Sequence, residues 1–273
     1  MTINVNGELI DLEQPKIAGI LNITQDSFFD GGKYFTIEKA LKQTEKLLAE
    51  GADFIDIGGQ STRPGSEFLS AEEELKRIIP VIKAIKKEFQ QVRLSIDTFW
   101  SEVAKETVNE GAGMINDISG GSLDEKMFET IGELKVPYVL MHMRGTPQTM
   151  GQFTDYNNLV LDIIYYFSEK IEKLRKFGIN DILLDPGFGF SKTLEQNYEL
   201  LKNLDKFTLF NLPLYIGLSR KRMIYHLLNT DAKNALTGTS ALNFYALQKG
   251  AHILRVHDVK EAKQMINLWK MLK

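Results

Sequence analysis

The feature that most constrains this chain is a unit that recurs from residue 17 onward. Each unit is a short apolar run of strand length, a polar loop, and an amphipathic stretch with helical spacing. The apolar runs fall at Ile17–Asn22, Phe54–Gly58, Leu94–Asp97, Met114–Asp117, Tyr138–His142, Ile182–Asp185, Leu214–Leu218 and Ile253–His257. Between them lie Ile37–Glu50, Ala71–Phe89, Glu102–Glu110, Glu125–Leu134, Leu159–Phe177, Glu195–Leu204 and Leu236–Lys249, with Lys260–Leu272 closing the series. This alternation predicts parallel strands joined by crossover helices, and eight strands are the number that closes into a barrel. The expected fold is α/β, a TIM (β/α)8 barrel forming one domain over residues 1–273. A doubly wound open sheet is the alternative, weakened because no GxGxxG follows the first strand.

Ahead of the first unit, Ile3 and Val5 alternate with polar residues, Asn6-Gly7 is a type I′ turn signal, and Leu9 to Leu12 return. This predicts a short N-terminal β-hairpin set against the bottom of the barrel. Gly111, Gly178 and Gly250 follow helical stretches, where a left-handed residue ends a helix.

Composition narrows the function. The net charge is −3, with no dense run of Lys and Arg, so nucleic acid is not an expected partner. There are no cysteines, which removes thiolate nucleophiles and Cys-ligated metals. No apolar stretch reaches the ~18 residues of a membrane span, and Met1–Gln14 lacks the pattern of a signal peptide. A cytoplasmic protein without membrane partners is expected.

Polar residues gather at the ends of the predicted strands: Asn22, Asp56, Asp97, Asn116-Asp117, His142, Asp185, Ser219-Arg220-Lys221, and Arg255 with His257. A single Asn or Asp at a strand end is more often a turn former or helix cap. Side-chain alternation puts Asn22, Asp97, Asn116 and Asp185 on the inward face. A series at one end of a barrel is where such enzymes keep their chemistry. Asp117 points outward and is read as structural, Asp258 as the cap of the last helix, and His142 as a core histidine. Arg255 and His257 share a face and suit an anion. Two long polar loops, Thr24–Phe35 and Gly59–Leu69, rise from the same end, the second carrying Arg63. Gly187-Phe188-Gly189-Phe190 offers close backbone approach and an aromatic wall.

Several segments together resemble one family, the dihydropteroate synthases. They are Gly19–Thr24 through Asp26-Ser27-Phe28 and Asp30-Gly31-Gly32, Asp56–Gly59 through Ser61–Gly65, and Ser95–Thr98. Ile115-Asn116-Asp117, Met141–Met143 through Gly145-Thr146-Pro147, Asp185-Pro186-Gly187, Ser219-Arg220-Lys221 and Arg255–Asp258 follow in the family's order. The resemblance implies condensation of 6-hydroxymethyl-7,8-dihydropterin diphosphate with p-aminobenzoate, releasing pyrophosphate, with Mg²⁺ as cofactor, in a homodimer that sulfonamides inhibit. It gives pterin binding to Asp97, Asn116, Asp185 and Lys221. Catalysis falls to Asp97, Lys221, Arg255 and His257, and the metal to Asn22. The diphosphate and p-aminobenzoate fall to Phe28, Thr62, Arg63, Pro64, Phe190, Arg255 and His257. The chain departs from the family's pattern at Gln25, Phe29 and Tyr225, which bears on sulfonamide response. A pterin-dependent methyltransferase subunit and an inactive pterin-binding scaffold are the rival readings.

Overall fold

A computed structural model describes residues 1–23, 32–60 and 68–272, without the side chains of 32–36. The first two strands, β1 (Thr2–Val5) and β2 (Glu8–Asp11), pair antiparallel. Asn6 and Gly7 at their turn have φ 51° and 86°, the two left-handed residues a type I′ turn requires.

The remaining strands are β3 (Lys16–Asn22), β4 (Phe54–Gly58), β5 (Leu94–Asp97), β6 (Met114–Asp117), β7 (Tyr138–Met141), β8 (Ile182–Asp185), β9 (Leu214–Ile216) and β10 (Ala251–Val256). They close in the order β10-β3-β4-β5-β6-β7-β8-β9, every pair parallel. The TIM barrel with an N-terminal hairpin is therefore what the chain forms. Strand ends differ from the sequence reading by a residue or two. His142 lies beyond β7, Leu218 beyond β9 and His257 beyond β10, while β10 starts at Ala251.

The helices are α1 (Gly32–Ala49), α2 (Ala71–Glu88), α3 (Ser101–Asn109), α4 (Met127–Leu134), α5 (Leu159–Lys176), α6 (Leu194–Lys202), α7 (Arg222–Leu227), α8 (Leu236–Gln248) and α9 (Val259–Lys270). Local chemistry starts several of them. Ser70 with Glu73, and Thr193 with Gln196, form reciprocal capping boxes, and Asn158 caps α5 by accepting from the Leu161 amide. Two short 3₁₀ turns, Met150–Gln152 and Leu204–Phe210, were not legible in the periodicity.

Two apolar layers result, with a smaller third cluster of Phe99, Ile118, Met141, Met143 and Met150 against which Phe190 packs. The larger lies between barrel and helices, where outward residues such as Ile55, Ile57, Ile96 and Leu184 meet Ile78, Ile82 and Phe167. The smaller lies inside the bottom of the barrel. There Ile3, Val5, Ile10 and Leu12 of the hairpin cover Ala18, Phe54, Met114, Val139, Leu183, Tyr215 and Ile253. The hairpin thus stoppers the N-terminal end, as its sequence implied.

Candidate active site

The C-terminal end of the barrel is polar where the other end is apolar. Asp56 on β4 is fully buried and receives three donors: Ser95 Oγ at 2.6 Å, Asn116 Nδ2 at 3.3 Å and Arg255 Nε at 2.5 Å. Arg255, on β10, also donates from Nη2 to Asp97 Oδ2 at 2.6 Å. One guanidinium from the last strand therefore ties the second and third barrel strands together. Its Nη1 nitrogen has no hydrogen-bond partner among the described residues. The two carboxylates raise the Arg255 pKa, against burial. Burial pushes the Asp97 carboxyl up to about 7, while Arg255 pulls the other way and Asp56 adds repulsion.

Asp185 ends β8. Its Oδ1 accepts from the Gly187 amide at 2.8 Å. Burial raises its pKa, and Lys221 is the first of the groups that draw it back. Lys221, just before α7, donates from Nζ to the Phe188 carbonyl and lies 4.7 Å from the centre of the Phe190 ring. Burial lowers the Lys221 pKa to about 8, with Asp185 opposing. An acceptor, a donor and an aromatic face thus stand together at one side of the mouth.

Asn22 is exposed at the end of β3. A Cβ added to Gly58 would sit 3.4 Å from Asn22 Oδ1 and 3.7 Å from Asp97 Oδ2, so the missing side chain leaves room where these two oxygens face one space. Among the described residues no cluster of His, Cys, Asp or Glu forms a metal cage. A single neutral oxygen donor suits Mg²⁺, which keeps much of its shell for water and substrate phosphates. His257, exposed past the end of β10, lies with Nδ1 3.1 Å from Ser219 Oγ, and its backbone amide donates to the same oxygen.

The structure therefore brings Asp97, Asn116, Asp185, Lys221, Phe190, Arg255, His257 and Asn22 to one end of the barrel. Phe28, Thr62, Arg63 and Pro64 lie outside the described residues. Asp117 is structural, as read: it accepts from the Ser119 and Gly121 amides and from Tyr138 Oη at 2.6 Å. Asp258 stands at the N-cap of α9, as read, but its side chain is a correction: it makes no cap bond and instead holds Arg220 through two bonds, at 2.7 and 2.9 Å. A guanidinium offers a carboxylate two parallel charge-assisted bonds, which outweigh a cap. Arg220 also donates to the carbonyls of Ala232 and Lys233.

Three buried charged groups had drawn no role from the sequence. Asp56 stood among the strand-end residues without one, and alternation with Phe54 was the signal that it faces inward. Glu74 sits at a buried position of α2, accepting from Gln60 and Thr98, and burial raises its pKa to about 7. Its place on the apolar stripe of a helix was the available signal. Lys192 gave none, since a lysine before a helix cap reads as solvated.

The fold and this mouth define a class: a TIM-barrel enzyme whose site takes a planar, hydrogen-bonding ring together with an anion. Residues 18–257 match the family model described as pterin binding enzyme. The chain belongs to that family and, within it, to the dihydropteroate synthases, which are transferases. It is 44% identical over 271 residues to the dihydropteroate synthase of Escherichia coli (strain K12), covering 98% of this chain and 95% of that one. The Haemophilus influenzae dihydropteroate synthase is 41% identical, covering 99% and 98%. Among solved structures, Yersinia pestis dihydropteroate synthase with a sulfonamide drug complex superposes at TM-score 0.93 and 41% identity, covering 100% of this chain and 99% of that one. Xanthomonas albilineans dihydropteroate synthase with 4-aminobenzoic acid gives 0.92 at 38% identity, covering 99% and 97%.

Proposed function

We propose that the C-terminal mouth of this barrel joins 6-hydroxymethyl-7,8-dihydropterin diphosphate to p-aminobenzoate, giving 7,8-dihydropteroate and pyrophosphate. The observation that carries this is the convergence of Asp185, Lys221, Asn116 and the Asp56–Arg255–Asp97 network at one end of a barrel whose other end is sealed by apolar side chains.

The pterin's 2-amino group and ring N–H are adjacent donors, which the Asp185 carboxylate accepts together. Asn116 binds the same ring, and Lys221 holds its carbonyl and ring-nitrogen edge. The C–O bond to the diphosphate breaks with its electron pair going to pyrophosphate. The methylene turns cation-like, stabilised by the ring and by Asp97 beneath it. The aniline nitrogen lone pair forms the new C–N bond and the nitrogen sheds a proton. No protein nucleophile takes part. Arg255 through its remaining Nη1 edge, His257 and Arg63 hold the diphosphate and favour its departure. Asn22 would hold Mg²⁺ through its amide oxygen, and the ion when bound neutralises charge on the leaving group. Phe190 and Lys221, with Thr62, Pro64 and Phe28 from the two long loops, form the p-aminobenzoate side. A sulfonamide, which shares the aniline ring, competes there. We extend to this chain the sulfonamide binding of the Yersinia pestis protein, a homodimeric state, and a cytoplasmic setting in keeping with the absence, among the described residues, of a helix able to cross a membrane.

The test is pyrophosphate release from dihydropterin diphosphate in Mg²⁺, with and without p-aminobenzoate. Release that requires p-aminobenzoate and collapses in Lys221→Ala and Asp185→Ala supports the assignment. Pterin binding without turnover returns the scaffold reading.

A further inference from the structure

Lys192 is 9% exposed, between the end of β7 and the loop that follows β8. Its Nζ is 3.0 Å from the Gly187 carbonyl, 3.0 Å from the Phe190 carbonyl and 3.1 Å from His142 Nδ1. Nζ donates to the two carbonyls and has the imidazole nitrogen as a third polar neighbour, so all its hydrogen-bonding capacity is engaged. His142 is itself buried, and burial together with the charges of Lys192 and Arg144 holds its pKa well below 6.5. It is therefore neutral and able to accept.

The segment gripped in this way is tightly wound. Gly187, Gly189 and Ser191 have φ 74°, 81° and 45°, and a Cβ on Gly187 would lie 2.0 Å from the His142 carbonyl. Left-handed Ser191 costs free energy unless its surroundings impose it. Lys192 holds the loop at Gly187 and Phe190, while Asp185 holds the Gly187 amide from the other side. The loop then offers Lys221 the Phe188 carbonyl and the Phe190 ring.

We propose that Lys192 is a positioning residue for the condensation: its buried Nζ, bonded to the Gly187 and Phe190 carbonyls, shapes the Gly187–Ser191 loop against Lys221. This rests on the reading of the mouth as the pterin site. Burial works against ionised Asp185, and the charges that favour it are Lys221, Lys192 and Arg255, with the Gly187 amide. Burial, joined by the charges of Lys221 and Arg144, lowers the Lys192 pKa well below 10.5 while Asp185 opposes, so its role rests on the two carbonyl contacts and not on its charge.

The experiment compares kcat and KM for dihydropterin diphosphate in the full chain, Lys192→Met and Lys192→Gln. Lys192→Met is expected to lose about tenfold or more in kcat/KM, mainly through KM. Lys192→Gln keeps two donors for the two carbonyls, so it recovers part of that loss. It also carries the test if Lys192→Met does not fold. An unchanged KM in Lys192→Met, or no recovery in Lys192→Gln, with only a lower melting temperature, would overturn the proposal. If the full chain itself releases no pyrophosphate with p-aminobenzoate, the functional reading fails separately. Calorimetric titration of 6-hydroxymethylpterin into the full chain, Lys192→Met and Lys192→Gln then reads the same loss and partial recovery in binding, and their absence rejects the role of Lys192.

Discussion

The two ends of this barrel are built from the same strands and do opposite work. At the bottom, inward Phe54, Met114, Leu183 and Ile253 meet the hairpin in an apolar layer. Two residues further along, about 7 Å of strand, the inward positions are Asp56, Asn116, Asp185 and Arg255, linked by hydrogen bonds or lining the mouth. Alternation keeps both sets near the axis, so one strand contributes stability at one end and chemistry at the other. The bottom is held by area buried, and the top by charges that burial opposes.

The sharpest way to separate the ends is to strip the top of its substrate contacts. Lys221→Ala and Asp185→Ala are expected to lower p-aminobenzoate-dependent pyrophosphate release on the order of a hundredfold or more. Melting temperatures should move little by comparison, since neither side chain belongs to the apolar layers. Asp56→Ala breaks the comparison, because it damages the top as structure. It leaves Arg255 with one of its two carboxylates, and urea unfolding should show a loss of about 3–5 kcal/mol. A loss below about 1 kcal/mol would mean solvent replaces Asp56.

At the bottom, Leu12→Ala removes a side chain 1% exposed under the barrel. Equilibrium unfolding should register about 2–5 kcal/mol with KM for both substrates unchanged. A raised KM would show that the ends are coupled. Glu74 refines the picture through pH. Its pKa is about 7 in the fold against the ordinary 4.5. Its stabilising contribution is therefore full below 4.5 and lost as pH rises through 7. The full chain should lose about 3 kcal/mol across that window relative to Glu74→Gln, measured by unfolding at several pH values. Smallest is Asp258→Asn, which weakens one bond of the pair to Arg220 and should cost about 1 kcal/mol by thermal melt.

Barrel and mouth were legible in the sequence to different depths. Period-two alternation marks which side chains face inward, so Asp97, Asn116, Asp185 and Arg255 could be placed before any coordinates. Partners could not. Arg255 meets Asp56 across 199 positions of chain and Asp97 across 158, and spacing carries no trace of such pairs until the strand order is known. Asp258 went astray for the same reason, since the local signal of a helix cap lost to Arg220, 38 residues away. Lys192 shows the limit most clearly: a buried and an exposed lysine look alike where no periodic pattern surrounds them.

The position of Arg255 in the chain also sets a schedule. Its two carboxylates precede it by 199 and 158 residues, so Arg255 is made long after both of them. During synthesis, which proceeds from the N-terminus, β4 and β5 wait with their acidic groups uncompensated until β10 arrives and closes the barrel between β9 and β3. Assembly of the site and completion of the fold are thus one event, and a nascent chain that stops short of β10 has neither.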